Sequence, residues 1–367
     1  MSLSDYSDLD DFELEYSPRY ASHQLDSILE DLNPPQREAV TYEGGPLVVV
    51  AGAGSGKTRV LTRRIARLVT VGVAPWRILA ITFTNKAAAE VRHRVVELVG
   101  ADAEKMWLST FHSACVRILR READRIGYRP GFSIYDEGDT RRLVEHVLDD
   151  LGIDPKRFTP RSVVGAISAA KSELLDAEGY AERARTFHEE KVARAFAEYE
   201  RRLRAAQAMD FDDLLAVVVR LFRSDAEVLK HYQDRFEHVL VDEYQDTNYA
   251  QNEIVKMIGQ GHRNVFVVGD TDQSIYAFRG AEIRNLLDFE RAFPDAKTIV
   301  LDQNYRSTQT ILDAANAVIG NNVMRQKKDL WSALGEGEKV HRYRGGDERD
   351  EATFVANEIA ELTAKKH

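Results

Sequence analysis

The sequence predicts an α/β protein with a parallel sheet covered by helices on both faces. Three observations lead there. Short apolar, β-branched runs recur near 46–51, 78–83, 106–110, 238–242, 264–269 and 298–302. Several are followed by a polar turn and a helical pattern with a basic outer face, as in "GKTRVLTRRIARLV" and "NKAAAEVRHRVVELV". Strands that alternate with helices need crossover connections, and these give parallel sheets. Between the first run and its helix lies the Gly-rich turn "AGAGSGKT". In such sheets ligands bind at the C-terminal ends of the strands.

Taken in order, the chain opens on an acidic stretch. Residues 1–31 carry −8 of the net charge of −10, leaving −2 on the remaining 336 residues. The stretch, with "DYSDLDDFELEYS", reads as a disordered tail that serves solubility or binds a partner. The body is near neutral with basic faces, so nucleic acid is not excluded as a partner. At 367 residues and 44% apolar composition it is globular and long enough for two or three domains. No apolar run reaches the length of a membrane span, and the acidic N-terminus lacks a secretory pattern. Cys115 is the single cysteine, which fits a reducing, cytoplasmic setting and reads as a small buried hydrophobe.

The strand–helix rhythm holds over 32–120 and resumes over 207–292, predicting one α/β domain. Between them, 121–206 is helical and charged, as in "HEEKVARAFAEYERRLRAAQ". It reads as an inserted helical subdomain, the alternative being surface helices on one large domain. From 293 to 367 a further unit is expected to begin, with "KTIVLDQNYRS", a helix, a strand "KVHRYRG" and a last helix near 348–364. These strands are too few to close a core.

"AGAGSGKT", spanning Ala51, Gly52, Ala53, Gly54, Ser55, Gly56, Lys57 and Thr58, has the strand–loop–helix context of a phosphate-binding loop. Glycines let backbone N–H groups curl around phosphate oxygens, and the helix N-terminus adds its dipole. Lys57 would neutralise the β- and γ-phosphates and the Thr58 hydroxyl would hold Mg²⁺. Ala51 stands where the strict motif has glycine. A P-loop requires acids at a neighbouring strand end, and "HVLVDEYQDT" supplies them. Asp242 would hold Mg²⁺ through its water shell and Glu243 would accept a proton from the attacking water. Hydrolysis also needs positive charge at the transferred phosphoryl group, for which Arg306 in "QNYRST" is the candidate.

The stretch "GDTDQSIYAFRG", 269–280, joins two chemistries. Its first half is polar and suits a phosphate; its second alternates aromatics with an arginine and suits a stacked base. The alternative is that Tyr276 and Phe278 pack a helix into the core.

In order, "LNPPQREAV", "AGAGSGKT", "ITFTNKAAAEVRHRV", "STFHSACVRIL", "LVDEYQDTN", "VVGDTDQSIYAFRGA" and "LDQNYRST" form a series. It resembles the UvrD/PcrA/Rep helicases of superfamily 1, most closely their actinobacterial members, over residues 32 to about 364. The resemblance implies a RecA-like P-loop fold for the first domain and the start of a second RecA-like domain. It implies ATP and Mg²⁺ as cofactors, single-stranded DNA and its junctions with duplex as partners, and 3′→5′ movement driven by hydrolysis. Gln36 then reads the adenine edge, Tyr305 stacks on adenine, Arg306 acts as arginine finger and Gln273 contacts the γ-phosphate. Phe83, Asn85, Thr110 and His112 face single-stranded DNA. Tyr276, Phe278 and Arg279 couple phosphate sensing to base stacking; many relatives have Trp where Phe278 stands.

Family members are roughly twice this length, so the chain resembles their N-terminal portion and is expected to unwind DNA weakly or not at all. Two other classes compete with the motor: a P-loop switch that uses ATP without translocation, and a DNA-binding module without turnover. The aromatic set after Gln273 favours the motor over the first. Intact Lys57, Thr58, Asp242 and Glu243 disfavour the second.

Overall fold

A strand buried on both faces must be apolar throughout, and β1 (Leu47–Ala51) is buried along its whole length. The computed structural model describes residues 23–276, 284–322, 325 and 328–365. Ahead of β1 come α1 (His23–Leu29) and α2 (Pro34–Thr41). After it run α3 (Lys57–Thr70), β2 (Ile78–Thr82), α4 (Asn85–Val99), β3 (Trp107–Thr110) and α5 (Phe111–Arg121). A short β4 (Ser133–Ile134) leads into α6 (Glu137–Asp150), α7 (Pro160–Ser172), α8 (Ala177–Arg183) and α9 (Phe187–Ala205). Then follow β5 (Ala208–Met209), α10 (Phe211–Ser224), α11 (Ala226–Arg235), β6 (His238–Val241), α12 (Tyr249–His262) and β7 (Val265–Gly269). The last elements are α13 (Arg284–Ala292), β8 (Lys297–Leu301), β9 (Gln303–Asn304), α14 (Gln309–Ile319), β10 (Trp331–Ser332) and α15 (Glu348–Ala364).

Six strands form one parallel sheet in the order β3-β2-β6-β7-β1-β8. Side chains alternate between its faces with period two. Val48, Val50, Leu79, Ile81, Val239, Val241 and Val267 share one core with residues of α5, α10 and α12. Leu47, Val49, Ala51, Ile78, Ala80, Leu240, Phe266 and Val268 share the other with residues of α2, α3 and α4. A third core of Val144, Val147, Leu148, Phe158, Ile167, Phe196, Tyr199 and others lies among α6, α7 and α9. That core is distinct from the two that cover the sheet. Tyr128 and Phe132, however, pack into the sheet-face core, so the self-contained helical packing starts after them rather than at 121.

Three expectations need correction. The strand read as the start of a further unit, β8, pairs with β1 residue for residue from Leu47↔Lys297 to Ala51↔Leu301. The first sheet therefore extends past 292, because edge position depends on a partner some 250 residues away. "KVHRYRG" forms no strand: residues 339–344 are exposed, and no ladder joins them to another strand among the described residues. The stretch read as tail is helical from His23, where Ile28 is fully buried and α1 packs on α3; residues 1–22 lie outside the described residues. The apolar Ile28 and Leu32 outweigh the local acidity.

Lys171 on α7 joins the helical unit to α10. Its ammonium lies 2.7 Å from both Asp210 Oδ2 and Asp213 Oδ1 and 2.6 Å from Glu200 Oε1. The Tyr199 hydroxyl donates to Asp210 Oδ2 at 2.7 Å. Burial alone would lower the Lys171 pKa, but the surrounding carboxylates raise it well above its ordinary value. Against its own burial, Asp210 is held low by Lys171. Asp213, despite Lys171, is pushed up to about 7 by burial and by Asp210.

Candidate functional site

The phosphate loop starts where β1 ends. Ala51 is a buried strand residue paired with Leu301, so the absence of glycine there costs nothing. Gly54 and Gly56 are left-handed, at φ +67° and +91°, conformations that side chains resist. The loop closes through Ser55, whose N–H and hydroxyl both donate to Gly52 O, at 3.2 and 2.7 Å. Ala53, at its tip, is exposed. Thr84 and Thr110 cap α4 and α5 with their side chains, but Gly56 offers α3 none. The first N–H groups of α3 thus remain for another acceptor. Lys57 and Thr58 form its first turn.

β6 and β7 bring acids to the same edge. Asp242, buried, anchors through its N–H to Ile81 O and accepts from Glu243 N at 2.9 Å. Burial and then the Glu243 charge push the Asp242 carboxyl up to about 7, against Lys57. Burial and Glu243 likewise hold Asp246 at about 6. Glu243 takes a left-handed backbone at φ +47°, a strained conformation for a side-chain residue that concentrates at functional sites. Its Oε2 lies 2.6 Å from Lys57 Nζ. Lys57 therefore turns inward rather than into solvent. The Gln273 Oε1 stands 3.4 Å from the same ammonium, while its Nε2 donates to Asp270 Oδ2 at 2.6 Å.

Sequence reasoning missed Gln245. Its Nε2 donates to Glu243 Oε2 at 2.9 Å and its Oε1 accepts from Asp270 N at 2.9 Å, linking the ends of β6 and β7. A Cβ on Gly269 would stand 2.6 Å from that Oε1, so Gly269 leaves room for the link. Its only trace in the sequence is its place two residues after Glu243 in "DEYQDT".

The segment after β8 rests on the loop. Tyr305 N donates to Gly54 O at 2.9 Å, and Asn304 Nδ2 to Ala53 O at 2.6 Å. Asn304 Oδ1 accepts from the N–H groups of Arg306 and Ser307. Asn33, which caps α2 in a box with Gln36, donates to Gln303 Oε1 and to the Tyr305 hydroxyl. Gln36 is fully buried and its Nε2 donates to Ser55 O at 2.8 Å. Its Oε1 accepts from Asn33 N. Tyr305 and Arg306 are exposed. Asn33, Gln303 and Asn304 were not expected; only the capping-box spacing of "NPPQ" foreshadowed the first.

The DNA-facing candidates gather at the other half of the sheet. Phe83 and Asn85 follow β2; Thr110 ends β3 and His112 follows it. The Phe83 ring lies 5.1 Å from that of Tyr276, which arrives from β7. Both rings are half-buried. Thr110 is committed to capping α5. Burial lowers the His112 pKa, and its ring meets the exposed Phe211 edge-on at 5.6 Å. Phe211 was not anticipated. Phe278 and Arg279 lie outside the described residues.

Residues 32–294 match the family described as UvrD/REP helicase N-terminal domain. The chain belongs to the UvrD/REP helicase family. Residues 299–367 match the UvrD-like helicase C-terminal domain. The chain is 52% identical over 336 residues to the ATP-dependent DNA helicase PcrA of Staphylococcus aureus, covering 91% of this chain and 46% of that protein. It is 55% identical over 350 residues to the ATP-dependent DNA helicase UvrD1 of Mycobacterium tuberculosis, covering 92% of this chain and 45% of that one. The chain thus spans about half the length of these curated relatives. Membership of the family accounts for the parallel α/β sheet and for the strand-end position of the loop and acids. Among the described residues no helix is long and apolar enough to cross a membrane.

Proposed function

We propose that this chain is the ATP- and single-stranded-DNA-binding part of a 3′→5′ DNA helicase. The observation that carries it is the convergence of Lys57, Glu243 and Gln273 within hydrogen-bonding reach at the ends of three different strands. Lys57 and the uncapped N–H groups of α3 hold the β- and γ-phosphates. The Thr58 hydroxyl and the Asp242 carboxylate suit Mg²⁺, which takes one or two protein oxygens and fills its shell with phosphate and water. When bound, the ion neutralises phosphate charge. Glu243 accepts a proton from the attacking water once phosphate has taken over Lys57. Gln273 aligns the γ-phosphate, and Arg306 adds charge to the transferring group. Gln36 keeps one amide donor and one lone pair for an adenine edge, because each amide has two of each. Tyr305, exposed above the loop, offers the ring a stacking face.

Single-stranded DNA lies along the ends of β2 and β3, over Phe83, Asn85, Thr110 and His112, with Tyr276 beside Phe83; Phe278 and Arg279, outside the described residues, are assigned to the same strand by the family resemblance alone. Stacking on aromatic faces tolerates any base, as a motor requires. Junctions with duplex DNA and a DNA repair or replication setting belong to the same proposal, as does the cytoplasmic location that the single cysteine suggests. ATP hydrolysis measured with and without single-stranded DNA tests it. DNA-stimulated turnover abolished by Lys57→Ala supports the motor; turnover indifferent to DNA leaves a switch.

A further inference from the structure

Past the end of β7, Asp270 and Asp272 meet two cations from more than fifty residues away. Lys328 Nζ lies 2.5 Å from Asp270 Oδ1 and 2.6 Å from Asp272 Oδ2. Arg325 Nη2 lies 2.9 Å from Asp272 Oδ2 and donates to Lys328 O at 2.7 Å. The Lys328 and Asp270 side chains are 1% and 2% exposed. A lysine buried so deeply is rare unless paired, and such a pair repays its desolvation only when its geometry is good. The four groups balance, two negative and two positive.

Asp270 is also the partner of Gln273. Its Oδ2 accepts from Gln273 Nε2, while Gln273 Oε1 faces Lys57. An ammonium only donates and a carboxylate only accepts. Set between them, the Gln273 amide has one permitted orientation, carbonyl toward Lys57. That orientation lasts while the Asp270 carboxylate keeps its place. Lys328 Nζ holds its Oδ1 and leaves Oδ2 to Gln273. Without Lys328 the carboxylate loses that anchor, and the Gln273 amide loses the acceptor that fixes which of its ends faces Lys57.

We propose that Lys328 is a positioning residue for Gln273. It anchors the Asp270 carboxylate, Asp270 sets the amide, and the amide faces the ammonium that meets the γ-phosphate. The segment following α14 is thereby tied to the discrimination between nucleoside triphosphate and diphosphate. The assignment rests on the ATP-site reading above.

The test compares affinities of the full chain for ADP and for the β,γ-imido analogue of ATP, by calorimetry. In the native chain the triphosphate binds more tightly. Lys328→Met is expected to cut that preference about tenfold, the worth of one hydrogen bond to a charged group, with ADP affinity unchanged. Lys328→Arg restores part of it. Gln273→Ala removes the same preference, and Gln273→Ala with Lys328→Met is no worse, as residues acting through one contact are non-additive. If Lys328→Met fails to fold, Lys328→Gln, which keeps a donor but removes the charge, is expected to lower the preference in the same direction. Equal loss for both nucleotides, or effects that add to those of Gln273→Ala, would overturn the assignment while leaving the ATP site standing. A native chain that binds neither nucleotide overturns the ATP-site reading itself and this assignment with it.

Discussion

Lys57 Nζ and Glu243 Oε2 stand 2.6 Å apart, so the group that would bind phosphate is already held by the group that would activate water. Phosphate must compete with Glu243 for the ammonium. Glu243→Gln is therefore expected to bind ATP at least as tightly as the native chain while losing about 10²–10⁴ in turnover, the usual worth of a general base. Lys57→Ala should lose ATP affinity outright. Calorimetry paired with single-turnover hydrolysis separates the two; weaker ATP binding by Glu243→Gln would contradict the competition.

Gly54 should be intolerant of a methyl group. Its left-handed backbone costs a side-chain residue about 1–2 kcal/mol, and a Cβ there would stand 2.6 Å from Asn304 Nδ2. Gly54→Ala is expected to weaken nucleotide binding and to lower the melting temperature. Adding Asn304→Ala should recover part of the loss, because it removes the contact with Asn304 but neither the 2.9 Å contact with Arg306 Cβ nor the dihedral strain. No recovery in the double variant would mean that the contact is irrelevant.

If the half-buried Phe83 and Tyr276 rings serve a base, Phe83→Ala should weaken single-strand affinity by about 1–3 kcal/mol. A purely packing role predicts the reverse, a loss of stability of about 3–5 kcal/mol with affinity unchanged. Thermal melting and a binding titration on the same variant decide.

The Lys171 cluster makes a pH-dependent prediction. Asp213, at about 7 in the fold against an ordinary 3.8, binds its proton more tightly when folded. Its contribution to stability therefore falls as pH rises from about 4 to 7. Asp210, shifted down, acts oppositely: its contribution is present above its ordinary value and lost as pH falls through the lowered one. Lys171, shifted up, contributes fully at neutral pH and loses that only in strong alkali. Lys171→Met should cost about 3–5 kcal/mol at pH 8, where it strands buried carboxylates. At pH 5 Asp213 is neutral and the cost should be about 1–3 kcal/mol less, counting 1.36 kcal/mol per pKa unit. Denaturant unfolding at both pH values checks this; an equal cost would refute it.

How legible was this in the chain? Each sheet strand was placed within about a residue, because a buried parallel strand such as β1, β2 or β7 announces itself as a short apolar run. The loop, Asp242 and Glu243 were legible because phosphate chemistry demands them at strand ends. Strand neighbours were not. Nothing in "KTIVL" says that it pairs with "LVVVA", so the place of β8 at the edge of the first sheet is not legible. "KVHRYRG" alternates like a strand but joins no sheet among the described residues. Lys328 sits in the polar run "MRQKKDL", where one lysine looks like the next, and only the acids beyond β7 distinguish it. Asn304 and Gln245 work through single long-range hydrogen bonds, which leave no periodic trace.

The strand order also governs when the protein can fold during synthesis. β1 and β2 come early in the chain but never touch; β6 and β7 lie between them. A nascent chain ending anywhere before residue 238 holds β1 without either neighbour and β2 with only β3 beside it. Meanwhile α6, α7 and α9 carry a core of their own and can consolidate first. The ribosome thus releases a helical hairpin cluster joined to an open, apolar half-sheet, the kind of species that exposes strand edges. Closure arrives only with Val265–Gly269 and Lys297–Leu301. The interleaving that brings the loop, the acids and Gln273 to one edge makes late synthesis the step on which solubility depends.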